Sequence, residues 1–156
     1  MIKIRVKRQM KTPQGMRLLE VDAEIENGEF VTLFGESGAG KTTLLKMIAG
    51  LTQPQEGLIE VEGEVWFDSR RRWNLPVQER RVGFVFQEYS LFPNMTIRQN
   101  LHYALANQNE EQGIEEWLRA MDLKGLEDQR PDQLSGGQKQ RVALARALVS
   151  QPRVLL

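Results

Sequence analysis

The stretch "GESGAGKTT", from Gly35 to Thr43, decides the fold because it places three glycines and a lysine within nine positions. Glycine is costly to order, so this cluster indicates a backbone that must bend where side chains would block another group. The stretch fits the pattern G-x-x-x-x-G-K-[ST] at Gly35, Gly40, Lys41 and Thr42, between an apolar run and a predicted helix. In that context main-chain N–H groups wrap phosphates, and the helix N-terminus adds the positive end of its dipole.

The motif assigns a chemical task to each part of the loop. Lys41 reaches the β- and γ-phosphates of a nucleotide as a point charge, and the Thr42 hydroxyl is a ligand for Mg²⁺. The residues expected to contact the nucleotide are Gly35, Glu36, Ser37, Gly38, Ala39, Gly40, Lys41, Thr42 and Thr43. The loop alone leaves kinases, GTPases and ATPases open. The sequence has no Asn-Lys-x-Asp element for guanine selection, which counts against a GTPase.

Hydrophobic periodicity extends the prediction to the rest of the chain. Alternation of apolar and charged residues predicts half-exposed strands, and apolar runs on both parities predict buried ones. The predicted half-exposed strands are 2–7, 19–26 and 59–67; the buried strands are 29–34, 81–87 and a start at 154; the helices are 42–50, one from 96, one around 117 and one over 135–150. We expect a β-rich and phosphate-loop part over 1–95, a helical insertion over 96–132, and a final helix and strand start over 133–156.

The composition excludes several kinds of partner and site. Lys and Arg number 21 and so do Asp and Glu, so no net field draws the whole chain to nucleic acid or to an anionic membrane. The absence of cysteine excludes disulfides and thiolate metal sites. No apolar run approaches the ~20 residues that cross a bilayer. We therefore expect a soluble, unexported protein with no nucleic-acid partner and no direct membrane insertion.

A second glycine pair lies in "LSGGQKQRVALARAL", residues 134–148. Ser135 is predicted to cap a helix and Gln138 to complete a capping box, while Gly136 and Gly137 leave the first-turn N–H groups open to a phosphate. The alternative is a capped amphipathic helix without a ligand. The letters "LSGGQ" are identical to the signature of the ATP-binding-cassette (ABC) ATPases, and the chain resembles that family over nearly its whole length.

The resemblance implies a fold and a dimer. The fold is α/β, a P-loop NTPase (ABC ATPase) core with an N-terminal antiparallel β subdomain and a helical subdomain, its C-terminal strands missing here. In the family two subunits stack head to tail, and each ATP lies between the phosphate loop of one and the signature of the other. Ser135, Gly136, Gly137 and Gln138 would then contact the nucleotide of a second copy or of a second ATPase domain.

The resemblance also assigns a glutamine. Gln87, in "FVFQEYSLFP", matches the family's Q-loop residue, which contacts the metal and the attacking water. Catalysis is thus assigned to Lys41 and Gln87, and Mg²⁺ binding to Thr42 and Gln87. In the family the next apolar residues, here Tyr89, Leu91 and Phe92, border a groove that receives a short helix of a transmembrane permease subunit. The expected location is cytoplasmic, peripheral at the inner face of the cell membrane through that permease.

The stretch Gly63–Pro93 is particularly similar to the ATPase subunits of molybdate importers. Importers of sulfate, sugars or polyamines share much of it, and this chain has Asn94 where that group would have histidine. The predicted function is therefore the ATP-binding subunit of an ABC importer for molybdate or another oxyanion. The alternatives are a soluble ABC ATPase of DNA repair or translation and a non-catalytic nucleotide-binding fragment.

The sequence departs from the family in two places. Residues 1–29 contain no aromatic side chain to stack on adenine, so Met10, Pro13 or Met16 is expected to supply apolar contact instead. After Leu156 the family has a metal-holding aspartate, a base glutamate and a switch histidine, and His102 is instead a surface or core residue. We expect these 156 residues to bind nucleotide without hydrolysing it, and to expose an apolar sheet edge that favours self-association.

Overall fold

The computed structural model describes residues 1–12, 15–105 and 111–156. The chain divides into two compact units, Met1–Arg80 and Arg81–Leu156, which are called the first and the second unit below. The first unit contains β1 (Ile2–Thr12), β2 (Gly15–Ile25), α1 (Lys41–Ala49), β3 (Glu56–Val61), β4 (Glu64–Asp68), β5 (Trp73–Asn74) and a 3₁₀ turn (Val77–Glu79). The second contains β6 (Val82–Gly83), α2 (Ile97–Tyr103), α3 (Glu111–Ala120), a 3₁₀ turn (Pro131–Gln133), α4 (Gly136–Leu148) and β7 (Val154–Leu155). The predicted domain boundaries near residues 95 and 132 stay a prediction.

An antiparallel sheet dominates the first unit, in the strand order β2-β1-β3-β4-β5. Ile4 of β1 lies opposite Ala23 and Ile59, which continues the predicted alternation across three strands. The outward parity carries cross-strand ion pairs, such as Lys7 with Glu20 at 2.7 Å. One face is therefore wet and the other is apolar, as the sequence predicts.

The core of the first unit combines the apolar face of the sheet with α1. Its buried side chains are Ile4, Val6, Leu44, Met47, Ile48, Ala49, Ile59, Val61, Trp66, Phe67 and Leu75. The predicted helix over 42–50 is confirmed as α1, which ends at Gly50 in the left-handed region (φ 80°). A glycine there has no Cβ to strain the turn, so it ends the helix at little cost.

The prediction of a buried strand over 29–34 is wrong. The segment has no regular secondary structure, and Phe30 and Phe34 are 93% and 99% exposed. A strand is buried only when neighbouring strands take up its N–H and C=O groups, and no strand of the described residues pairs with this segment. The sequence therefore identified the residues as apolar but did not predict that no strand lies beside them. Self-association through exposed apolar residues stays a prediction.

The second unit is built from helices around one apolar cluster. Its buried members are Ile97, Leu101, Leu105, Ile114, Leu118, Leu123, Leu134, Val142, Ala145 and Val149. The predicted caps are confirmed, because Thr96 with Gln99 and Ser135 with Gln138 both form capping boxes. The strand predicted over 81–87 is only two residues long, β6, which pairs in parallel with β7. The predicted strand start at Val154 is confirmed by the same pairing.

The helices of the described residues are short or polar. None of them is long and apolar enough to cross a membrane.

Candidate functional site

A cleft of about 610 Å³ lies beside the glycine loop in the first unit. Its lining comes from the end of β1, the loop and α1, and consists of Arg8, Gln9, Met10, Lys11, Thr12, Ser37, Gly38, Gly40, Lys41, Thr42, Thr43, Lys46 and Thr52. Among these described residues four are basic and none is acidic. The volume lies within the range of about 300–1,000 Å³ typical of small-molecule sites. A positive cleft of this size suits an anionic ligand such as a nucleotide.

The loop is organised by the side chain of Lys41. Its Nζ donates hydrogen bonds to the carbonyl oxygens of Gly35 at 2.7 Å and Glu36 at 2.8 Å. The Ala39 N–H donates to the Glu36 carbonyl at 3.2 Å and closes the turn between them. An ammonium has three donors, so two of them hold the loop and the third is left for a ligand.

The start of α1 is free of side-chain caps. Gly40 precedes the helix with φ 96°, and no side chain accepts a hydrogen bond from the first-turn N–H groups. Four N–H groups at a helix start have no partner within the helix, and together with the dipole they attract an anion. Gly38 has φ 79°, a backbone conformation that residues with a Cβ rarely adopt. A Cβ there would meet no atom within 4 Å, so the backbone conformation and not a lack of space favours glycine at this position.

These observations fit the phosphates of a nucleotide. Of the nine loop residues predicted from the sequence, six line the cleft: Ser37, Gly38, Gly40, Lys41, Thr42 and Thr43. Gly35 and Glu36 instead hold the lysine through their carbonyls. Thr42 is exposed, so its hydroxyl is accessible to a metal ion. The role of each residue toward ATP stays a prediction.

The end of β1 lines the cleft, and of its residues there the sequence analysis predicted Met10 but missed Arg8 and Thr12. Arg8, Met10 and Thr12 follow Ile4 and Val6 on the same parity of the strand, so the core face turns polar at its far end. A basic residue on the apolar parity of an alternating strand was the available signal. The Arg8 side chain also donates to the main-chain carbonyl of Gln53, which keeps it at the cleft.

Met10 is the apolar contact that the cleft offers. A Cβ built on Gly40 would lie 2.8 Å from Met10 Cε, so the thioether packs directly over the glycine before α1. Of the other two residues predicted for this role, Met16 is 65% exposed and does not line the cleft, and Pro13 lies outside the described residues. Of the two described residues, Met10 and Met16, the structure therefore brings Met10 to the loop.

The remaining predicted site residues lie in the second unit. Gln87 is exposed and follows the short β6. Ser135 caps α4: its Oγ accepts from the Gln138 N–H at 3.3 Å, and Gln138 Oε1 accepts from the Ser135 N–H at 2.8 Å. Gly136 and Gly137 have open space at the Cβ position, so the first turn of α4 presents bare backbone.

Replacement of Ser135 by alanine is expected to lower the free energy of unfolding by about 1 kcal/mol, because it removes one half of this capping box. Urea denaturation of the chain measures the change. Ser135→Asp is the matched control, since aspartate also accepts a hydrogen bond at an N-cap and should retain the stability. Equal losses in both variants would show that the cap does not stabilise the helix.

The glycine loop that leads into an uncapped helix on an α/β fold defines the class of P-loop nucleotide-binding proteins. Within that class the chain belongs to the ABC transporter family, because the model of that family matches residues 18–156. The predicted resemblance to ABC ATPases is thereby confirmed.

Curated relatives match most of the chain. The molybdenum import ATP-binding protein ModC of Paramagnetospirillum magneticum is 45% identical over 140 residues, which are 87% of this chain and 39% of the relative. The sulfate/thiosulfate import ATP-binding protein CysA of Synechococcus elongatus is 47% identical over 142 residues, which are 88% of this chain and 40% of the relative. The chain thus spans about two fifths of the length of these relatives.

A solved structure supports the same fold. The dimeric structure of the ATP-binding cassette MJ0796, in a post-hydrolysis state bound to ADP and Pi, is 33% identical in sequence and matches with a TM-score of 0.79. The match covers 99% of this chain and 72% of that chain. The predicted fold class, a P-loop ABC ATPase core, is confirmed by this likeness.

Proposed function

We propose that the cleft binds ATP with Mg²⁺, and that the protein containing this chain is the ATP-binding subunit of an ABC importer. The observation that carries the proposal is the basic cleft around the glycine loop, in a chain that belongs to the ABC transporter family. Relatives with comparable identity are named as import ATP-binding proteins, which favours import over export.

Each part of the cleft has a task in this proposal. The open N–H groups at the start of α1 bind the phosphates, and the third donor of Lys41 neutralises their charge. Arg8 and Lys11 add positive charge at the far side of the cleft. Thr42 and Gln87 are the proposed ligands of Mg²⁺, which when bound would neutralise charge on the phosphates.

The signature residues complete the proposal through a second protomer. Ser135, Gly136, Gly137 and Gln138 present the start of α4, a helix of 13 residues, to the ATP of a second copy or of a second ATPase domain. ATP would then join the two protomers. The dimeric state of the similar cassette MJ0796 supports this arrangement.

The 156 residues are proposed to bind nucleotide without turnover. Activation of the attacking water requires a general base, and the resemblance implies a glutamate beyond the strand that starts at Val154. No acidic residue follows Val154 in this sequence. The residues of the cleft supply positioning and charge neutralisation, so we expect these residues to retain nucleotide binding.

The cargo is proposed to be molybdate or another oxyanion. The relatives named for molybdenum and for sulfate/thiosulfate import are 45% and 47% identical, so identity does not separate the two. The alternative is a soluble ABC ATPase of DNA repair or translation, which would bind nucleic acid. The net charge of zero does not favour such a partner. The proposed location is cytoplasmic, at the inner face of the cell membrane through a permease.

Equilibrium titration of the chain with a fluorescent ATP analogue tests whether it binds nucleotide, on which the rest of the proposal depends. Saturable binding that requires Mg²⁺ and is displaced by ATP is the expected result. Displacement by pyrophosphate but not by adenosine would assign the affinity to the phosphates, as the cleft predicts. Absence of saturable binding would contradict the nucleotide site.

The permease contact is proposed to lie at the aromatic pair of the second unit, Phe92 and Tyr103. Their rings meet edge to face at 4.6 Å, and Tyr103 is 64% exposed. Replacing Leu91 and Phe92 by serine is predicted from the sequence to abolish partner binding while sparing ATP binding. Leu91, however, packs against the apolar cluster of that unit, so serine there also lowers stability.

Tyr103→Ser is the cleaner variant and is expected to weaken co-purification with the permease about tenfold or more, because exposed aromatic residues often dominate interface energies. Trp73→Ser is its control, since Trp73 is a comparably exposed aromatic residue, 49%, on the first unit. Pull-down from detergent-solubilised membranes measures both. Equal recovery of the permease with both variants would refute the assigned surface.

A further inference from the structure

A strained turn follows Gln87 in the second unit. Tyr89 and Ser90 have φ of 59° and 47°, so two consecutive residues with side chains occupy the left-handed region. Residues other than glycine adopt this region at a cost, and such strain persists only where surrounding contacts hold it. The turn is closed locally by the Tyr89 N–H, which donates to the Phe86 carbonyl at 2.9 Å.

Arg146 of α4 supplies the contact that holds this turn. Its guanidinium donates from Nη1 to the Ser90 carbonyl at 2.8 Å and from Nη2 to the Tyr89 carbonyl at 3.1 Å. The two acceptors therefore belong to the two left-handed residues. The Arg146 carbon Cζ also lies 5.4 Å from the centre of the Phe92 ring, within the range of a cation–π contact.

The far end of the turn is fixed by a buried amide. Asn100 is fully buried, its Oδ1 accepts from the Phe92 N–H at 2.9 Å, and its Nδ2 donates to the Phe92 carbonyl at 3.2 Å. The segment from Tyr89 to Phe92 is thus held by Arg146 at one end and by Asn100 at the other. Asn100, which lies in α2, holds Phe92 at the end of the segment. Among the contacts that the structure describes, only Arg146 connects Tyr89 and Ser90 to α4.

We propose that Arg146 is a positioning residue for Gln87: it fixes the strained turn to α4, the helix whose N-terminus carries Ser135. The bearing of this contact on hydrolysis rests on the proposed function. Arg146 does not touch nucleotide in this proposal. It sets the conformation of the two residues that come two and three positions after Gln87, and so limits the directions in which the glutamine can extend.

Arginine is required by the geometry of the two acceptors. A planar guanidinium presents two N–H groups in a fixed fork, and here each group meets a different carbonyl. A lysine ammonium keeps the positive charge near the C-terminus of α4, but it is a point donor on a flexible stem. Arg146→Lys therefore removes the fork while preserving charge and helix propensity.

Hydrogen exchange followed by mass spectrometry tests the contact in the chain without nucleotide. Arg146→Lys is expected to accelerate exchange of the amides over residues 88–92 by about tenfold, while the amides of α4 keep their rates. Arg141→Lys is the matched control, because Arg141 lies in the same helix and pairs only with the 93% exposed Asp122 among the contacts described. Unchanged exchange over 88–92 in Arg146→Lys would overturn the proposal.

Steady-state kinetics of a full-length protein that contains these residues test the consequence. Arg146→Lys is expected to lower kcat at least fivefold with little change in KM, since it disturbs Gln87 and not the phosphate loop. Accelerated exchange with an unchanged kcat would overturn the positioning role. Accelerated exchange in a protein whose wild type lacks ATPase activity would support the contact and refute the proposed function, so the two failures are distinguishable.

Discussion

Replacement of Lys41 by alanine is expected to weaken MgATP binding about 10- to 100-fold, because a hydrogen bond to a charged group contributes about 1.5–3 kcal/mol. The Nζ already lies at the loop, 2.7 Å from the Gly35 carbonyl and 2.8 Å from the Glu36 carbonyl. The ammonium is therefore positioned before the ligand arrives, and little side-chain entropy is lost when its third donor meets a phosphate. Isothermal titration of the chain with ATP and Mg²⁺ measures the change.

The stability of the Lys41→Ala variant should change by less than about 0.5 kcal/mol, since both acceptor residues are exposed and water can replace the ammonium. Lys46→Ala is the matched control. Lys46 lines the same cleft in the last turn of α1, about 7.5 Å farther along the helix. It should weaken binding by less than about threefold, because an ammonium that donates no hydrogen bond to the phosphates contributes only a Coulomb attraction weakened by water. Equal effects of both variants would show that the cleft attracts ATP by net charge alone.

The loop and the helix starts were predictable because their signals are local. Glycines that must take positive φ, and Ser135 paired with Gln138 three residues later, act within a few residues of chain. The structure shows both capping boxes, and Gly40 directly before α1. Contacts of this kind require no knowledge of the rest of the fold.

The strand predicted over 29–34 was wrong because its signal is not local. The run "EFVTLF" is mostly apolar, which favours burial. A strand, however, forms only where a neighbouring strand pairs with its N–H and C=O groups. In the described chain β1 pairs with β2 and β3, and nothing pairs with 29–34. The strand predicted over 81–87 is shorter than predicted for the same reason, because its pairing with β7 extends over only two residue pairs.

The largest gap in the sequence prediction is Arg80. It stands in "VQERRVG", beside Arg81, in a polar run that is typical of an exposed turn. The side chain is nevertheless only 1% exposed. Charged residues are buried only where their donors are satisfied. The partners here are four main-chain carbonyls and the Oδ1 of Asn74, and those of α1 lie more than 30 positions away. No pattern along the sequence specifies such partners.

Arg80 connects the helix that follows the phosphate loop to the sheet. Its Nη1 donates to the carbonyls of Met47 at 3.0 Å and Ile48 at 2.8 Å, which are among the last carbonyls of α1. The Met47 carbonyl also accepts from the N–H of Gly50 at 3.1 Å. Its Nη2 donates to the Trp66 carbonyl of β4 at 3.2 Å. Burial lowers the pKa of Arg80, yet arginine remains protonated at neutral pH and all its donors stay available.

Arg80→Met is therefore expected to lower the free energy of unfolding by about 3–5 kcal/mol, since it removes the donor to the Ile48 and Leu75 carbonyls. The Met47 and Trp66 carbonyls lose one of two donors, because each also accepts from a main-chain N–H. The side chain also fits closely, since a Cβ on Gly50 would lie 2.8 Å from Arg80 Cζ. Urea denaturation gives the change as a shift of the midpoint. Arg80→Lys should lose less, because an ammonium retains up to three of the donors.

Arg81→Met is the control, since the adjacent arginine is exposed and should change stability by no more than about 0.5 kcal/mol. If Arg80→Met falls below the stability needed to fold, Arg80→Lys still allows the comparison with Arg81→Lys. A midpoint shift no larger for Arg80 than for Arg81 would show that the buried bonds do not stabilise the unit. A large shift would mean that α1 is anchored at its C-terminus by a residue 33 positions away from Met47, while its N-terminus is left free for the phosphate loop.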